Sequence, residues 1–168
     1  MLRKLIHGVS LLESKKMPKF KRLPKSAKPF KFELEEDFTI TPRFDREFWY
    51  GHDGCYLCCL DGGSTVNLGR IENGQITYFS GGKNNGLTCH RDHSWALPAA
   101  HAHDILLLEN YPVLPLNKEE LAIADRVFLS VLLDHVDKLK GFKKVLYKSF
   151  AYAMYWAVRA NSIIKGER

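Results

Sequence analysis

Seven side chains able to bind a metal or move a proton fall within 36 positions of this 168-residue chain: His90, Asp92, His93, His101, His103, Asp104 and Asp125. That density is unusual, because the whole chain holds only seven His. Imidazole nitrogens together with carboxylate oxygens suit zinc or a harder divalent ion. A site with one open position would turn a bound water into a hydrolytic nucleophile. Helix geometry restricts which of these groups can act together. Successive helical residues turn by about 100°, so His101 and Asp104 lie about 60° apart, whereas His101 and His103 lie about 160° apart and cannot easily face one ion.

Asp125 shares a helical face with Leu121, Phe128, Leu129 and Leu132. A carboxylate among apolar side chains needs a partner, and His103 is the natural one. Its neighbours Arg126 and Ser130 equally fit the polar edge of the same helix. Arg159 has Tyr155, Trp156 and Ile163 as helical neighbours and, if buried, could fork onto Asp104 or Asp125. Its alignment with Lys144 and Lys148 also fits a solvated stripe. The set reads either as a catalytic or metal site, or as a buried hydrogen-bond network that pins three helices together.

A second metal candidate combines Cys55-x-x-Cys58 with Cys89-x-x-x-His93, four ligands that could close a tetrahedral zinc site. Against it, Cys55-Tyr56-Leu57-Cys58-Cys59-Leu60 reads as a buried strand in which Cys acts as a small hydrophobe. On a regular strand Cys55 and Cys58 point to opposite faces. The chain contains no phosphate-binding Gly-rich loop ending in Lys-Ser/Thr, no Gly-x-Ser-x-Gly and no His-Glu-x-x-His.

The elements that must position these groups follow from patterning. Residues 32 to 80 are β-rich and punctuated by turn residues, with Asn73-Gly74 between two alternating runs, which predicts a hairpin through a type I′ turn. After the loop Gly81 to Gly86, Pro98 fits the first turn of a helix that runs to about Leu108. Asn117 and Glu120 form a capping-box pattern that opens a helix to about Lys140, where Gly141 stops it. An aromatic- and Ala-rich helix closes the chain, from about Lys143 to Ile164. The expected fold is therefore α+β: a β-rich N-terminal half of hairpins, from about Phe32 to Phe79, packed on about three C-terminal helices, with an extended basic N-terminal arm.

Three C-terminal segments resemble domain-of-unknown-function family 1353, found in phage and prophage genomes. They are His101-Ala102-His103-Asp104 followed by apolar residues, Ala124-Asp125-Arg126-Val127-Phe128 on a helix, and the closing Tyr155-Trp156-Ala157-Val158-Arg159. The match keeps order and spacing over roughly the last 70 residues. Upstream, the family's Gly-aromatic-x-Thr-Asp-x-Ala-Ser-x-Pro segment is represented only by Gly86-Leu87-Thr88 and the run from Asp92 to Pro98. The resemblance implies a phage context and names no reaction. It favours the His103-Asp104 pair, with His101 in reserve as a metal ligand and Asp125 as the third candidate.

Charge is divided unevenly along the chain. Residues 1 to 31 hold ten Lys or Arg and one Glu (+9), whereas the remainder holds 15 basic and 18 acidic residues (−3). The ten cations are Arg3, Lys4, Lys15, Lys16, Lys19, Lys21, Arg22, Lys25, Lys28 and Lys31. Leu2, Leu5, Ile6, Val9 and Leu12 have helical spacing, while Pro18, Pro24 and Pro29 forbid a continuous helix beyond them. Residues 1 to 31 are thus expected to be an arm that makes few contacts with its own body, residues 32 to 168, and docks on virion or assembly subunits, or on nucleic acid.

A phage virion-associated structural or accessory protein is the leading expectation, located in the virion or in the host cytoplasm during assembly. A metal-dependent hydrolase acting on peptidoglycan, with zinc or another divalent ion as cofactor, is the alternative. A nucleic-acid-binding protein ranks below these. So does a mitochondrial assembly subunit, raised by the basic, acid-free residues 1 to 12, which would place the chain in the mitochondrial matrix. The clustered Cys suggest reduced thiols, and no stretch has the roughly 18 uncharged apolar residues of a transmembrane helix.

Overall fold

The computed structural model describes residues 17–61, 63–87, 93–107 and 118–166. It is an α+β fold, with two antiparallel sheets in the N-terminal half and three long helices after them. Strand β1 (Phe20–Arg22) pairs with β2 (Phe32–Leu34). Strand β3 (Phe38–Ile40) and helix α1 (Arg46–Gly51) follow, then β4 (Tyr56–Asp61), β5 (Ser64–Glu72), β6 (Gln75–Tyr78) and β7 (Lys83–Asn84). The helices are α2 (Leu97–Leu106), α3 (Lys118–Val136) and α4 (Gly141–Gly166). One sheet has the order β1-β2-β7 and the other β3-β6-β5-β4.

The hairpin at Asn73-Gly74 forms as its sequence requires. Both residues take positive φ, 52° and 67°, and the flanking strands pair Glu72 with Gln75 and Ile71 with Ile76. Gly74 is favoured by its positive φ, and a Cβ there would also lie 2.9 Å from the exposed Tyr50 ring, which could shift to admit it. Ile71 and Ile76 are fully buried and join a core that runs from the sheets into all three helices. Burying a side chain the size of Phe128 or Ile105 contributes about 1.5–3 kcal/mol.

The capping Asn117 lies outside the described residues, and α3 ends at Val136, four residues before the expected stop at Lys140. Helix α1 was not signalled by periodicity. It is six residues long, and its buried Trp49 with the Phe48 ring packed edge-on at 4.9 Å holds it in place. Asp45, just before it, takes a bidentate ion pair from Arg126 of α3. Arg43 likewise reaches Asp134 of α3 and Asp137 just after its end, each at 2.7 Å. These pairs fix the β half against the helix that carries Asp125.

The expectation that residues 1–31 stand away from the body is corrected for residues 17–31. Strand β1 aligns Phe20 with Leu34, Lys21 with Glu33 and Arg22 with Phe32, and Leu23 N–H closes the connection on Lys31 C=O. Phe20 packs against the core. The prolines bound this hairpin-like excursion instead of keeping it off the body, since Pro24 and Pro29 sit in its connection and not in the paired strand. Arg3, Lys4, Lys15 and Lys16 lie outside the described residues, as does the apolar spacing from Leu2 to Leu12. Among the described residues no helix is long and apolar enough to cross a membrane.

Candidate functional site

Helix α2 is almost wholly buried, and the two His that it carries are directed to different sides. His103 faces α3 and α4. Its Nε2 lies 2.9 Å from Asp125 Oδ1, and its Nδ1 lies 3.7 Å from Asp104 Oδ1. Asp125 is fully buried on α3. Its Oδ1 also accepts a hydrogen bond from Ser162 Oγ at 2.8 Å, and its Oδ2 accepts one from Arg159 at 3.1 Å, both from α4. Asp104 Oδ2 accepts the Asn85 N–H at 2.9 Å, which ties the loop after β7 to α2. The expected meeting of His103, Asp104 and Asp125 is therefore present, with Arg159 turned inward onto Asp125 through a single N–H and not standing in a solvated stripe.

The electrostatics follow from this enclosure. Burial works against a charged His103, but hydrogen bonds and proximity to Asp104 and Asp125 outweigh it and push the imidazole pKa up to about 8. His103 and Arg159 then set two positive charges against the two carboxylates, so the cluster is neutral as a whole. The Phe128 ring stands edge-on to the imidazole at 5.9 Å and closes the apolar side.

His101 does not join this group. It points to the sheets, with the rings of Phe20, Tyr78 and Phe38 at 5.5, 5.8 and 6.0 Å. Its Nδ1 takes the Asn84 side-chain amide at 3.1 Å. Its Nε2 and the buried Tyr78 hydroxyl have no hydrogen-bond partner among the described residues. Burial lowers its pKa to about 4, so it is neutral at physiological pH. The metal set His101, His103 and Asp104 is corrected on this geometry: residues two apart on one helix diverge, and α2 is packed on both sides.

The zinc alternative fares no better where it can be inspected. Cys89 lies outside the described residues, and His93 is exposed. Cys55 and Cys58 are half-buried free thiols, and Cys58 donates to Asn67 Oδ1 at 2.9 Å. Cys55 precedes β4, and a register irregularity between Leu57 and Cys58 interrupts the regular alternation between the two thiols. Among the described residues no three His, Cys, Asp or Glu side chains are grouped to hold an ion. In the His103 cluster both Asp125 oxygens already accept protons from Arg159, Ser162 and the imidazole. His90 and Asp92 lie outside the described residues.

What remains open is a cleft of about 230 Å³, bordered by His103 and Asp104 together with Phe30, Lys83, Asn85, Leu107, Val158 and Asn161. Phe30 also borders a second, basic groove with Arg22, Lys25, Lys28 and Lys31. Ser162, Asn85 and Asn161 were missed from sequence. Ser162 had a usable signal, three positions beyond Arg159 and hence on the same face of its helix. No protein-family model, curated protein or solved structure matches this chain.

Proposed function

We propose that this chain is a phage virion-associated accessory protein. A compact α+β body is brought into a larger assembly by the basic N-terminal segment, and the His–Asp cluster serves the fold and not a reaction. The observation that carries this reading is the closure of Asp125: both oxygens are used, by one side chain of α2 and two of α4. A carboxylate so engaged, and fully buried, offers no exposed oxygen to a substrate. It clamps three helices at one point, which is what a buried charge network can supply to a body that must present a fixed surface. The C-terminal resemblance supplies the phage context, and the +9 of residues 1–31 supplies the attachment.

The test is incorporation into particles. Replacing Arg3, Lys4, Lys15 and Lys16 by Gln should leave the body folded and abolish its recovery with particles. Normal recovery of the folded variant would refute the attachment.

One observation favours a second reading, a peptidoglycan hydrolase: His103 and Asp104 border the 230 Å³ cleft. An imidazolium poised near pH 8 could serve there as a general acid. A metal-dependent form would need a further donor, such as His90 or Asp92. Release of soluble fragments from peptidoglycan, lost in His103→Gln and restored by added divalent ion after chelation, would support it. The folded chain releasing nothing with or without Zn²⁺ or Mg²⁺ would end it.

A further inference from the structure

Helix α4 presents an apolar face to the outside. Its inner side is ordinary: Ala151, Met154 and Ser162 are buried against the rest of the fold. Its outer side carries Phe142, Val145, Leu146, Phe150, Trp156 and Ile164, all exposed, with Phe142 at 79 %, Trp156 at 63 % and Ile164 at 61 %. Placed on a helical wheel, these residues span an arc of about 140° along a helix of about 39 Å. A surface helix of a protein surrounded by water should be polar on that side.

The charges bordering this arc all have one sign. The α4 sequence holds Lys143, Lys144, Lys148, Arg159 and Lys165 and neither Asp nor Glu. Lys144 is paired with Asp137 at 3.0 Å on the surface, and Arg159 turns inward onto Asp125. Lys143 and Lys148 are exposed and stand one on each edge of the apolar arc. The basic connection between β1 and β2 lies beside the C-terminal half of α4, since Phe30 shares a cleft with Val158 and Asn161. It adds Arg22, Lys25 and Lys28 on the Lys143 side. The opposite charge of the chain is elsewhere: residues 32–140 hold nine basic and 17 acidic residues, a net −8.

We propose that the outer face of α4 lies on an anionic phospholipid bilayer, parallel to its surface, with Phe142, Trp156 and the aliphatic side chains in the headgroup–acyl boundary and Lys143 and Lys148 reaching the phosphates. Lysine stems cover apolar area while their ammonium groups stay in the polar layer, and aromatic rings favour that same boundary. Charge selects this occupant over the others. A second copy would set one α4 against another, each carrying five cations and no anion. Residues 1–16 hold four cations and one Glu, so they too bring like charge. Nucleic acid offers the right charge but no hydrocarbon layer for Val145, Leu146, Ile163 and Ile164. The inference does not depend on the virion reading, because it uses no part of residues 1–16.

The experiment is flotation of the full chain with vesicles of phosphatidylcholine alone or mixed with phosphatidylglycerol, read together with tryptophan emission. Trp49 is fully buried and Trp95 half-buried, so a blue shift with quenching by brominated lipid reports Trp156. Binding is expected on the anionic vesicles only. It should weaken about thirtyfold in Lys143→Gln/Lys148→Gln and be lost in Phe142→Glu/Trp156→Glu, with circular dichroism unchanged.

Absence of binding at low salt overturns the proposal. So does binding that both α4 variants leave intact, which would assign it to the N-terminal segment. A salt-resistant dimer by sedimentation that Phe142→Glu/Trp156→Glu dissolves, without vesicle binding, would assign the face to a second copy. Retention on DNA without vesicle binding would assign the basic rim to nucleic acid.

Discussion

The two sides of α2 place the same side chain in opposite chemical states. His101 and His103 stand two residues apart on one helix, and both are buried. On the sheet side His101 sits among three aromatic rings and one neutral amide, and burial outweighs the pull of the more distant Asp104 carboxylate, so its pKa falls to about 4. On the helix side His103 sits between two carboxylates, and its pKa rises to about 8. Burial is common to both and opposes charge in both. Close carboxylates decide the outcome: two act on His103 at short range through hydrogen bonds and charge, whereas His101 feels only the charge of Asp104. The contrast explains why, of the described residues, His101 becomes a neutral packing contact while His103, Asp104 and Asp125 become a charge network.

The largest effect should come from removing the anion on which the helix side depends. Asp125→Ala would leave His103 and Arg159 facing each other without their shared counter-charge, and would strand Ser162 Oγ. Breaking one partner of a buried pair costs about 3–5 kcal/mol, a large share of the stability of a domain this size. Urea unfolding should show that loss. A drop below about 1 kcal/mol would mean that water reaches Asp125 and that the cluster is no clamp.

Acid should act on the sheet side. The folded pKa of His101 lies below the unfolded value of about 6.5, so its contribution is fully present above that value and is lost as pH falls towards about 4. The size is of order 3 kcal/mol. Replacing His101 by Phe should flatten the stability profile between pH 6.5 and 4. An unchanged acid limb would show that His101 does not stay neutral there.

Base should act on the helix side, with the opposite sign. The folded pKa of His103 lies above the unfolded value, so its contribution is complete below about 6.5 and disappears as pH rises through about 8. This is of order 2 kcal/mol. His103→Gln should remove the alkaline fall between pH 6.5 and 9 and leave the acid limb alone. Exchange of the two limbs between the variants would reverse the assignment of the two sides.

The sequence made some of this arrangement legible and hid the rest, for physical reasons. Asp125 among Leu121, Phe128, Leu129 and Leu132 suggests a buried carboxylate, and burial demands a partner, so His103 could be named as the natural one, whereas Arg159 fitted equally a fork onto Asp104 or Asp125 and a solvated stripe. Asn73-Gly74 announces its hairpin because a two-residue turn fixes register locally. The fate of His101 depends on Phe20, Phe38 and Asn84, which come from three strands of two to three residues each. Strands that short carry almost no alternation to read. Their pairing is a long-range choice, as is the docking of residues 17–31, where a run of Lys and Pro outweighed Phe20 in the local pattern. Helix α4 shows a further limit: its residues have helical period, but an apolar arc on each side does not say which one the fold will cover.

The smallest change tests how far the helix-side contrast depends on its second carboxylate. Asp104 is about one-quarter exposed, stands 3.7 Å from His103 Nδ1, and accepts the Asn85 N–H. Asp104→Asn keeps the shape, and its amide oxygen can still take that hydrogen bond, so the stability cost should stay near about 1 kcal/mol or below. The charge is lost, and with it one of the two influences that hold the proton on His103. Its pKa, followed by NMR of the imidazole C–H signals, should move down from about 8 while that of His101 changes far less. The alkaline limit of stability should move down with it. If the His103 signal does not move, Asp125 alone holds the proton, and Asp104 belongs to the rim of the cleft, where its carboxylate faces whatever enters.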